Sequence, residues 1–401
     1  MGLVDNKKMR VIYSVGSALG GGGIGNTGNF AAREIYKQGF LKKLICLENN
    51  QDFIPKDKIV SFKWTKYLLR YPIRALQKFF FKNFNSYYCT DYIYDLCAKK
   101  YVEKCDVFHY WRDHGELSAK KAKKLGAKIF VENASLHPIT HTKIIKEEYK
   151  KLGIKIKLYS KKHFRKQLEQ LKNADYVVVP GGGAYNSFIK EGFKKEKLVK
   201  VNFGVPEHIF NGKFNKKDRK DNKFRAIYVG QVSVAKGIHY LLKAWDELRL
   251  KNSELLIIGK PTEETKPLLN QYMNREDIKF LGHQNPFPYY KKSDVFVFPT
   301  LSEGSALVTY EALGLGLPQI VTENSGSVIR NGKEGFIIPI KDINSLKRKI
   351  KYLYGHPRER ERMAKNSIKL AKKYPWENYG KTLIKAYRKA LIGKNKKISK
   401  I

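Results

Sequence analysis

The amino-acid sequence predicts an α/β protein with two doubly wound domains, each built on a parallel sheet. Apolar runs of strand length alternate with amphipathic helical segments, and this alternation restarts after a lysine-rich segment near the middle of the chain. The 401 residues also exceed what one hydrophobic core usually supports. Continuous apolar runs such as DVFVFP (294–299) are typical of parallel strands covered on both faces. We therefore expect two domains that face each other across a cleft.

The first predicted domain, residues 1–205, opens with a strand, a glycine-rich loop and a helix. The strand is MRVIYSV (9–15), the loop runs from Gly20 to Gly25, and the helix includes AAREIYKQGF. Further strands are predicted at 42–49, 106–111, 127–132, 175–180 and 197–204. A strand, loop, helix and strand in this order are typical of a Rossmann-like domain.

The second predicted domain, residues 206–375, repeats the pattern after the polar linker FNKKDRKDNK (214–223). Its strands are predicted at 224–230, 254–260, 278–282, 294–299 and 318–323, with helices such as HYLLKAWDELRL between them. The last helix runs from about Trp376 to Leu391. We expect residues 376–401, which end in a basic tail, to cross back to the first domain.

Four cysteines, at positions 46, 89, 97 and 105, lie in apolar segments without zinc-like spacing. They predict reduced thiols, no disulfide and no metal, as in a cytosol. The chain begins directly with a strand instead of a signal-peptide core, and no apolar run reaches the roughly 18 residues of a membrane span. We expect a cytoplasmic protein, or one bound at the inner face of the cell membrane.

The formal net charge of +42 raises the question of nucleic-acid binding. The positive excess is spread evenly over both halves of the chain, whereas nucleic-acid binders more often concentrate it on one face within a recognisable module. No zinc finger, RNP motif or KH loop occurs in the sequence. The charge favours anionic partners such as nucleotide sugars and acidic lipids, without specific nucleic-acid recognition.

Residues 58–90 are candidates for contact with an anionic membrane. Basic and apolar residues interleave here, as in a helix that lies on a lipid surface, although Pro72 interrupts the pattern. The alternative is an ordinary docking helix whose apolar face covers the core.

Residues 294–326 predict a binding site. They comprise a buried strand, a loop with Glu303 and Gly304, a helix with Glu311 and another strand. Open α/β sheets bind ligands at the carboxyl ends of their strands. Eight helical steps would separate the two glutamates by about 12 Å, whereas glycosidase carboxylate pairs lie about 5–9.5 Å apart. Two carboxylates on different parts of one long ligand, such as a sugar nucleotide, fit this spacing better than hydrolysis.

The start of this helix favours phosphate binding. Ser305 is the predicted N-cap, and the N–H groups of Ala306 and Leu307 would then point outward at the positive end of the helix dipole. The alternative is a surface helix with two solvated glutamates.

The glycine loop favours a competing function. Gly20, Gly22 and Gly25 match G-x-G-x-x-G after a strand, and Glu48 lies where a nicotinamide enzyme would bind the ribose. An NAD(P)-dependent oxidoreductase is therefore the alternative function. Residues 294–326 of the other domain form a second nucleotide-binding pattern, and an oxidoreductase would not need both, so this pattern counts against that function. A tight turn without ligand contact would also explain the glycines.

Four segments together resemble glycosyltransferase family 4, whose members are retaining enzymes with the GT-B fold. Glu303 and Glu311, separated by seven residues and followed by ALGLGLP, resemble its C-terminal signature. The segments around 227–237, 131–153 and 174–192 resemble its donor-phosphate loop, an acceptor-domain segment with a histidine, and the end of its first domain.

The resemblance implies a role for each matching position. Lys236 would neutralise the leaving diphosphate, Glu303 would bind donor-sugar hydroxyls, and Glu311 would bind the ribose. His137 would stabilise the transition state, with His109 and His114 as competing histidines. The remaining implied donor contacts are Gly22, Gly23, Gly230, Gln231, Leu281, Gly304, Ser305, Ala306 and Leu307.

Some positions depart from the family pattern. Gln231 stands where arginine is frequent, Asn133 and Ala134 replace Arg-Gly, and Gly181 replaces serine. No Asp-x-Asp sequence occurs, which fits transfer without a metal. The expected function is transfer of a sugar from a UDP- or GDP-sugar to a glycan or lipid-linked acceptor, in cell-surface polysaccharide or lipopolysaccharide-type synthesis. A non-enzymatic basic binding module is the third alternative.

Overall fold

The computed structural model describes residues 9–65, 86–155, 160–210 and 221–398. Two parallel sheets organise the described part of the chain, one of seven strands and one of six. The two doubly wound α/β domains predicted from the sequence are thereby confirmed.

The first sheet is formed by the N-terminal half. Its strands are β1 (Val11–Leu19), β2 (Leu41–Asn49), β3 (Ile59–Ser61), β4 (Val107–Trp111), β5 (Lys128–Glu132), β6 (Tyr176–Pro180) and β7 (Leu198–Val201). Its helices are α1 (Ile24–Lys37), α2 (Lys63–Thr65), α3 (Ser86–Lys100), α4 (Glu116–Lys124), α5 (Pro138–Lys151), α6 (Lys161–Asn173) and α7 (Gly181–Lys190). The central strand β4 is buried at every position, as expected for a strand covered on both faces.

The second sheet is formed by the C-terminal half. Its strands are β8 (Phe224–Val229), β9 (Ser253–Ile258), β10 (Ile278–Gly282), β11 (Val295–Phe298), β12 (Gln319–Thr322) and β13 (Gly335–Ile338). Helix α8 (Glu207–Phe210) precedes it, and its own helices are α9 (Ile238–Leu248), α10 (Lys266–Leu269), α11 (Phe287–Lys292), α12 (Leu307–Gly314), α13 (Ile343–Gly355) and α14 (Pro357–Ala371).

Each sheet has a point at which the direction of strand addition reverses. The first sheet has the order β3-β2-β1-β4-β5-β6-β7, and the second has β10-β9-β8-β11-β12-β13. The reversals lie between β1 and β4 and between β8 and β11, so the loops after these strands diverge and leave a crevice at the carboxyl edge.

The C-terminal helix α15 (Trp376–Ile398) packs on α1 of the first domain. The rings of Trp376 and Phe30 stack at 4.3 Å. The Tyr387 hydroxyl hydrogen-bonds His109 Nδ1, whose Nε2 lies 3.2 Å from the Glu132 carboxylate. His109 is fully buried in this network between the helix and the first sheet.

The sequence pattern missed two short strands, β3 and β13, and β1 extends to Leu19, beyond the predicted end at residue 15. Residues 66–85 of the membrane-contact prediction and 214–220 of the predicted linker lie outside the described residues. Within the described ranges, no helix is long and apolar enough to cross a membrane.

Candidate functional site

Two loops converge at the reversal point of the second sheet. The loop after β8 carries Lys236, and the loop after β11 carries Glu303. A hydrogen bond of 2.9 Å from the Leu301 N–H to the Ala235 carbonyl joins them. Gly237 follows with a φ of 70°, and a Cβ there would lie 2.0 Å from the Pro299 carbonyl oxygen. Only glycine allows the two loops to approach this closely.

Lys236 and Glu303 form an ion pair between these loops. Each side chain is 21% exposed, so the pair lies at the edge of the crevice. Glu303 Oε1 also accepts a hydrogen bond of 3.3 Å from the Gly304 N–H. Because an ammonium has three donors, Lys236 can hold the carboxylate and a phosphate oxygen at the same time.

Glu311 lies on α12, which follows the Glu303 loop. Burial raises the pKa of its carboxyl group, and the Tyr290 hydroxyl donates a hydrogen bond of 3.2 Å to it. The Tyr290 ring is itself fully buried. This contact orients the Glu311 carboxyl group, and the sequence pattern did not reveal it.

The prediction of Ser305 as the N-cap of α12 is wrong. The cap is Ala306, without a capping side chain, and Leu307 is the first helical residue. Ser305 Oγ instead lies 3.1 Å from the Gly326 carbonyl oxygen. The Ala306 N–H donates to the Ser325 carbonyl at 3.0 Å, so it does not point outward as expected. The neighbouring loop at Ser325–Gly326 thus occupies the Ala306 N–H, which sequence reasoning assigned to a phosphate, and the Ser305 hydroxyl, which it assigned to the helix cap.

The first domain contacts the Glu303 loop directly. A Cβ on Gly304 would lie 2.0 Å from the carbonyl oxygen of Ala134 in the first domain. On its other side, Gly304 is approached by Gly326 of the second domain, where a Cβ would lie 2.2 Å from the Gly304 carbonyl oxygen. The backbones of the two domains therefore meet where glycine leaves room, next to the Lys236–Glu303 pair.

His137 caps α5, its Nδ1 accepting the Ile139 N–H at 3.3 Å. Its ring packs edge-on against Phe188 at a centroid distance of 4.9 Å and is 2% exposed. Burial lowers the pKa of this histidine to about 4. The catalytic role that the resemblance implies for His137 stays a prediction.

His141, one helical turn further along α5, contacts the Glu303 loop. Its Nδ1 lies 2.7 Å from Ser302 Oγ. Burial lowers the pKa of His141, and the nearby charges of Arg112 and Lys236 add to this effect. Sequence reasoning missed His141, although residues four apart share one face of a helix and its position relative to His137 could have indicated it.

The other predicted donor contacts lie in several loops. Gly22 and Gly23 face open space before α1, since a Cβ at either would meet no atom within 4 Å. Gly230 has a φ of 148°, and the side chain of Gln231 is exposed. Leu281 is half-buried in β10. Across the described residues, no group of three or more His, Cys, Asp or Glu side chains is arranged to hold a metal ion.

Comparison with known proteins links these loops to one family. Residues 210–370 match the family model of glycosyl transferases, group 1, and this range contains Lys236, Glu303 and Glu311. The chain is 31% identical over 193 residues to the capsular polysaccharide biosynthesis glycosyltransferase CapM of Staphylococcus aureus, covering 44% of this chain and 51% of CapM. It is 27% identical over 217 residues to the sulfoquinovosyl transferase SQD2 of Arabidopsis thaliana, covering 51% of this chain and 42% of SQD2. The chain thus spans about half the length of the curated relatives it matches.

Solved structures resemble the whole two-domain arrangement. Anabaena Alr3699/HepE, crystallised with UDP and glucose, superposes with a TM-score of 0.66 at 14% identity, covering 95% of this chain and all of HepE. WaaG, a glycosyltransferase involved in lipopolysaccharide biosynthesis, superposes with a TM-score of 0.61 at 14% identity, covering 93% of this chain and 98% of WaaG. The fold is that of the GT-B glycosyltransferases, as the resemblance implied.

Proposed function

We propose that this protein is a retaining glycosyltransferase that moves a sugar from a nucleoside-diphosphate sugar to a glycan or lipid-linked acceptor. The observation that carries the proposal is the Lys236–Glu303 pair at the reversal point of the second sheet, inside the range that matches group 1 glycosyl transferases. Open α/β sheets bind ligands at such points.

The proposed donor is a UDP- or GDP-sugar. The complexes of HepE with UDP and with UDP-glucose support this choice. The diphosphate would lie against Lys236 and the backbone of Gly304 and Leu307, with Gly22 and Gly23 approaching from the first domain. Glu303 would accept hydrogen bonds from sugar hydroxyls, and Glu311 from the ribose. Gly230, Gln231 and Leu281 would complete the donor pocket. Ser305 and Ala306 would lie beside it without using the Ser305 hydroxyl or the Ala306 N–H, because the Ser325–Gly326 loop occupies both groups.

In the proposed reaction, the bond between the anomeric carbon and the diphosphate oxygen breaks, and a bond to the acceptor oxygen forms on the same face of the sugar. The proton of the acceptor hydroxyl passes to the departing diphosphate oxygen. Negative charge develops on the leaving diphosphate. The Lys236 ammonium offsets this charge, which lowers the barrier most where water is excluded. We propose that transfer needs no metal ion.

Two histidines on α5 are proposed to act next to the sugar. His137 is the one implied by the family resemblance, and His141 is the one that contacts Ser302 beside Glu303. Since its lowered pKa keeps each imidazole neutral near pH 7, either ring can accept or donate a hydrogen bond without adding charge.

We further propose the domain division 1–205 for the acceptor, 206–375 for the donor and 376–401 for the returning helix and tail. A role in cell-surface polysaccharide or lipopolysaccharide-type synthesis is supported by the names of CapM and WaaG. Action at the cytoplasmic face of a membrane is supported by the net charge of +42, which attracts anionic lipid.

Thermal-shift measurements with UDP, GDP, ADP and NAD test the proposal. We expect UDP or GDP to raise the melting temperature of the wild type, and Lys236→Ala to abolish the shift. Stabilisation by NAD alone would support the oxidoreductase instead. If none of the four nucleotides shifts the melting temperature and the protein binds nucleic acid with a steep salt dependence, it is a basic binding module.

A further inference from the structure

The reversal point of the first sheet has a cavity of its own. The cavity has a volume of about 190 Å³ and opens where β1 and the loop after β4 diverge. Its wall includes Ser17 of β1, Asp91 of α3 and His114 of the loop after β4. These side chains have no role in the proposed donor site, which lies on the second sheet.

Asp91 and His114 form a pair in the wall of this cavity. The Asp91 Oδ1 lies 3.4 Å from His114 Nε2, and the side chains are 20% and 15% exposed. In the described part of the chain, His114 Nδ1 is buried without a hydrogen-bond partner. Because that nitrogen is closed to solvent, a ligand hydroxyl would meet the imidazole at Nε2, beside the Asp91 carboxylate.

Gly16 of β1 provides the space for the imidazole. A Cβ at this position would lie 2.4 Å from both Cγ and Cδ2 of His114. Any larger residue would displace the ring from the cavity wall. The strand is therefore built to hold His114 against the carboxyl edge of the first sheet.

The chemistry of the wall suits an uncharged sugar. The Asp91 carboxylate accepts hydrogen bonds from hydroxyl groups, and Ser17 adds a hydroxyl of its own. Ile24 and the Tyr94 ring provide an apolar side for the C–H face of a ring, while the Tyr94 hydroxyl is occupied by the Ile45 carbonyl at 3.1 Å. A carboxylate in the wall repels a phosphate group.

The volume of the cavity favours a single sugar ring over a dinucleotide as its ligand. Pockets for ligands of drug size usually have about 300–1,000 Å³. The cavity of about 190 Å³ is smaller and suits a single sugar ring.

We propose that this cavity binds the terminal neutral sugar of the acceptor, with Asp91 and His114 hydrogen-bonding its hydroxyls. The inference rests on the proposed function and narrows its substrate class. The acceptor presents a sugar hydroxyl instead of a phosphate, so the protein extends a glycan that already carries at least one sugar.

Saturation-transfer NMR on the full chain, with UDP present, tests this subsite. The probes are the methyl glycosides of glucose, galactose, mannose and N-acetylglucosamine. We expect at least one glycoside to bind the wild type, and its signal to fall fivefold or more in Asp91→Asn and in His114→Asn. Asp57→Asn, which changes an exposed carboxylate of the same domain, serves as the matched control and should keep the signal.

Fold integrity is read from the melting temperature of each variant. Ser17→Ala, which removes one hydroxyl and no charge, is expected to weaken the signal and provides the test if a pair variant unfolds. Equal signals in wild type and folded variants would overturn the inference, as would absence of binding by all four glycosides. Displacement of the glycoside by inorganic phosphate or NAD would also overturn it.

Glycoside binding and nucleotide binding are measured separately, so failure of the subsite can be distinguished from failure of the proposed function. If nucleotides bind and glycosides do not, only the subsite fails. If glycosides bind at Asp91 and His114 but UDP, GDP and ADP do not stabilise the chain, the cavity binds sugar and the transferase proposal fails.

Discussion

Lys236 and Glu303 are the residues on which the proposed chemistry depends most. They lie 67 positions apart in the sequence, yet their side chains form an ion pair at the cleft. The pair holds each side chain close to where a diphosphate and its sugar would meet. The two side chains would therefore lose little conformational entropy when a donor binds.

Neutralising Lys236 should remove the charge that stabilises the leaving diphosphate. We expect Lys236→Gln to lower the transfer rate by about 100-fold or more, the range found when one preorganised electrostatic contact is lost. Glu303→Gln should also reduce the rate strongly. Lys243→Gln, an exposed lysine on α9, is the matched control. Transfer from a radiolabelled donor measures the rates, and wild-type turnover in both site variants would exclude this donor site.

The two histidines of α5 can be told apart by separate substitutions. We expect His137→Asn and His141→Asn each to slow transfer by about 100-fold, the lower end of the range found when one preorganised hydrogen bond to the transition state is lost. His137→Asn should in addition lower the melting temperature, because the ring fills a space between Phe188 and Phe193. Steady-state kinetics and calorimetry measure both effects. Normal turnover in His137→Asn would leave His141 as the active histidine.

Stability should depend on pH through His137. Its pKa is lowered to about 4 in the folded chain and returns to about 6.5 on unfolding, so the unfolded state binds more protons in this interval. The free energy of unfolding should therefore fall as the pH decreases from about 6.5 to 4. Urea titrations at several pH values measure the slope, which should be smaller in His137→Asn. An identical slope would show that this imidazole is not the source.

At the scale of elements, helix α5 is one of the elements that bridge the two domains. Its N-terminal turns contact Ser302, and its C-terminal half packs Ile145 and Tyr149 on Val234 of the Lys236 loop. Glu148 is fully buried and hydrogen-bonds the Tyr240 hydroxyl at 2.7 Å. Helix α5 thus connects the first domain to both loops of the proposed donor site.

The Glu148 contacts should stabilise the packing of helix α5 against the second domain. His239 and Tyr240 lower the pKa of this carboxyl group to about 2, against the effect of burial. We expect Glu148→Gln to lower the free energy of unfolding by about 1–3 kcal/mol, the usual cost of a disturbed buried hydrogen-bonded charge. Glu147→Gln, at the exposed neighbouring position, should change it by less than about 0.5 kcal/mol. Denaturant unfolding measures both, and equal effects would exclude the bridge as a stabilising element.

At the scale of the whole molecule, each of the two parallel sheets presents its reversal point at a carboxyl edge. The second carries the Lys236–Glu303 pair, and the first carries the cavity with Asp91 and His114. This separation would suit transfer between two substrates, because the proposed charged donor would meet the Lys236 ammonium and the proposed neutral acceptor the polar wall of the cavity.

The net charge of +42 predicts binding to anionic membranes, with residues 58–90 as the proposed contact. We expect the protein to sediment with vesicles that contain phosphatidylglycerol and to be released as NaCl rises from about 0.1 to 0.5 M, because salt screens exposed charges. Phosphatidylcholine vesicles are the control. Equal sedimentation with both lipids, or with neither, would contradict an electrostatic membrane contact.

Sequence patterns predicted most of the architecture because it is encoded locally. The apolar runs of strands such as β4 and β11 and the helical periodicity of α9 require no knowledge of distant residues. The short strands β3 and β13 were missed because three or four residues carry too little pattern. The candidate site was less predictable, since its contacts join residues far apart in the sequence.

By itself, the sequence determined the two α/β domains and which residue types stand at the carboxyl ends of their strands. Only the tertiary structure decided how those residues use their hydrogen-bonding groups. In the folded chain, the Ala306 N–H donates to the Ser325 carbonyl, His109 is buried beneath α15, and His141 contacts Ser302. The physical reason is that periodicity specifies which face of an element is buried, whereas a buried polar group must find its partner among whatever elements pack against it.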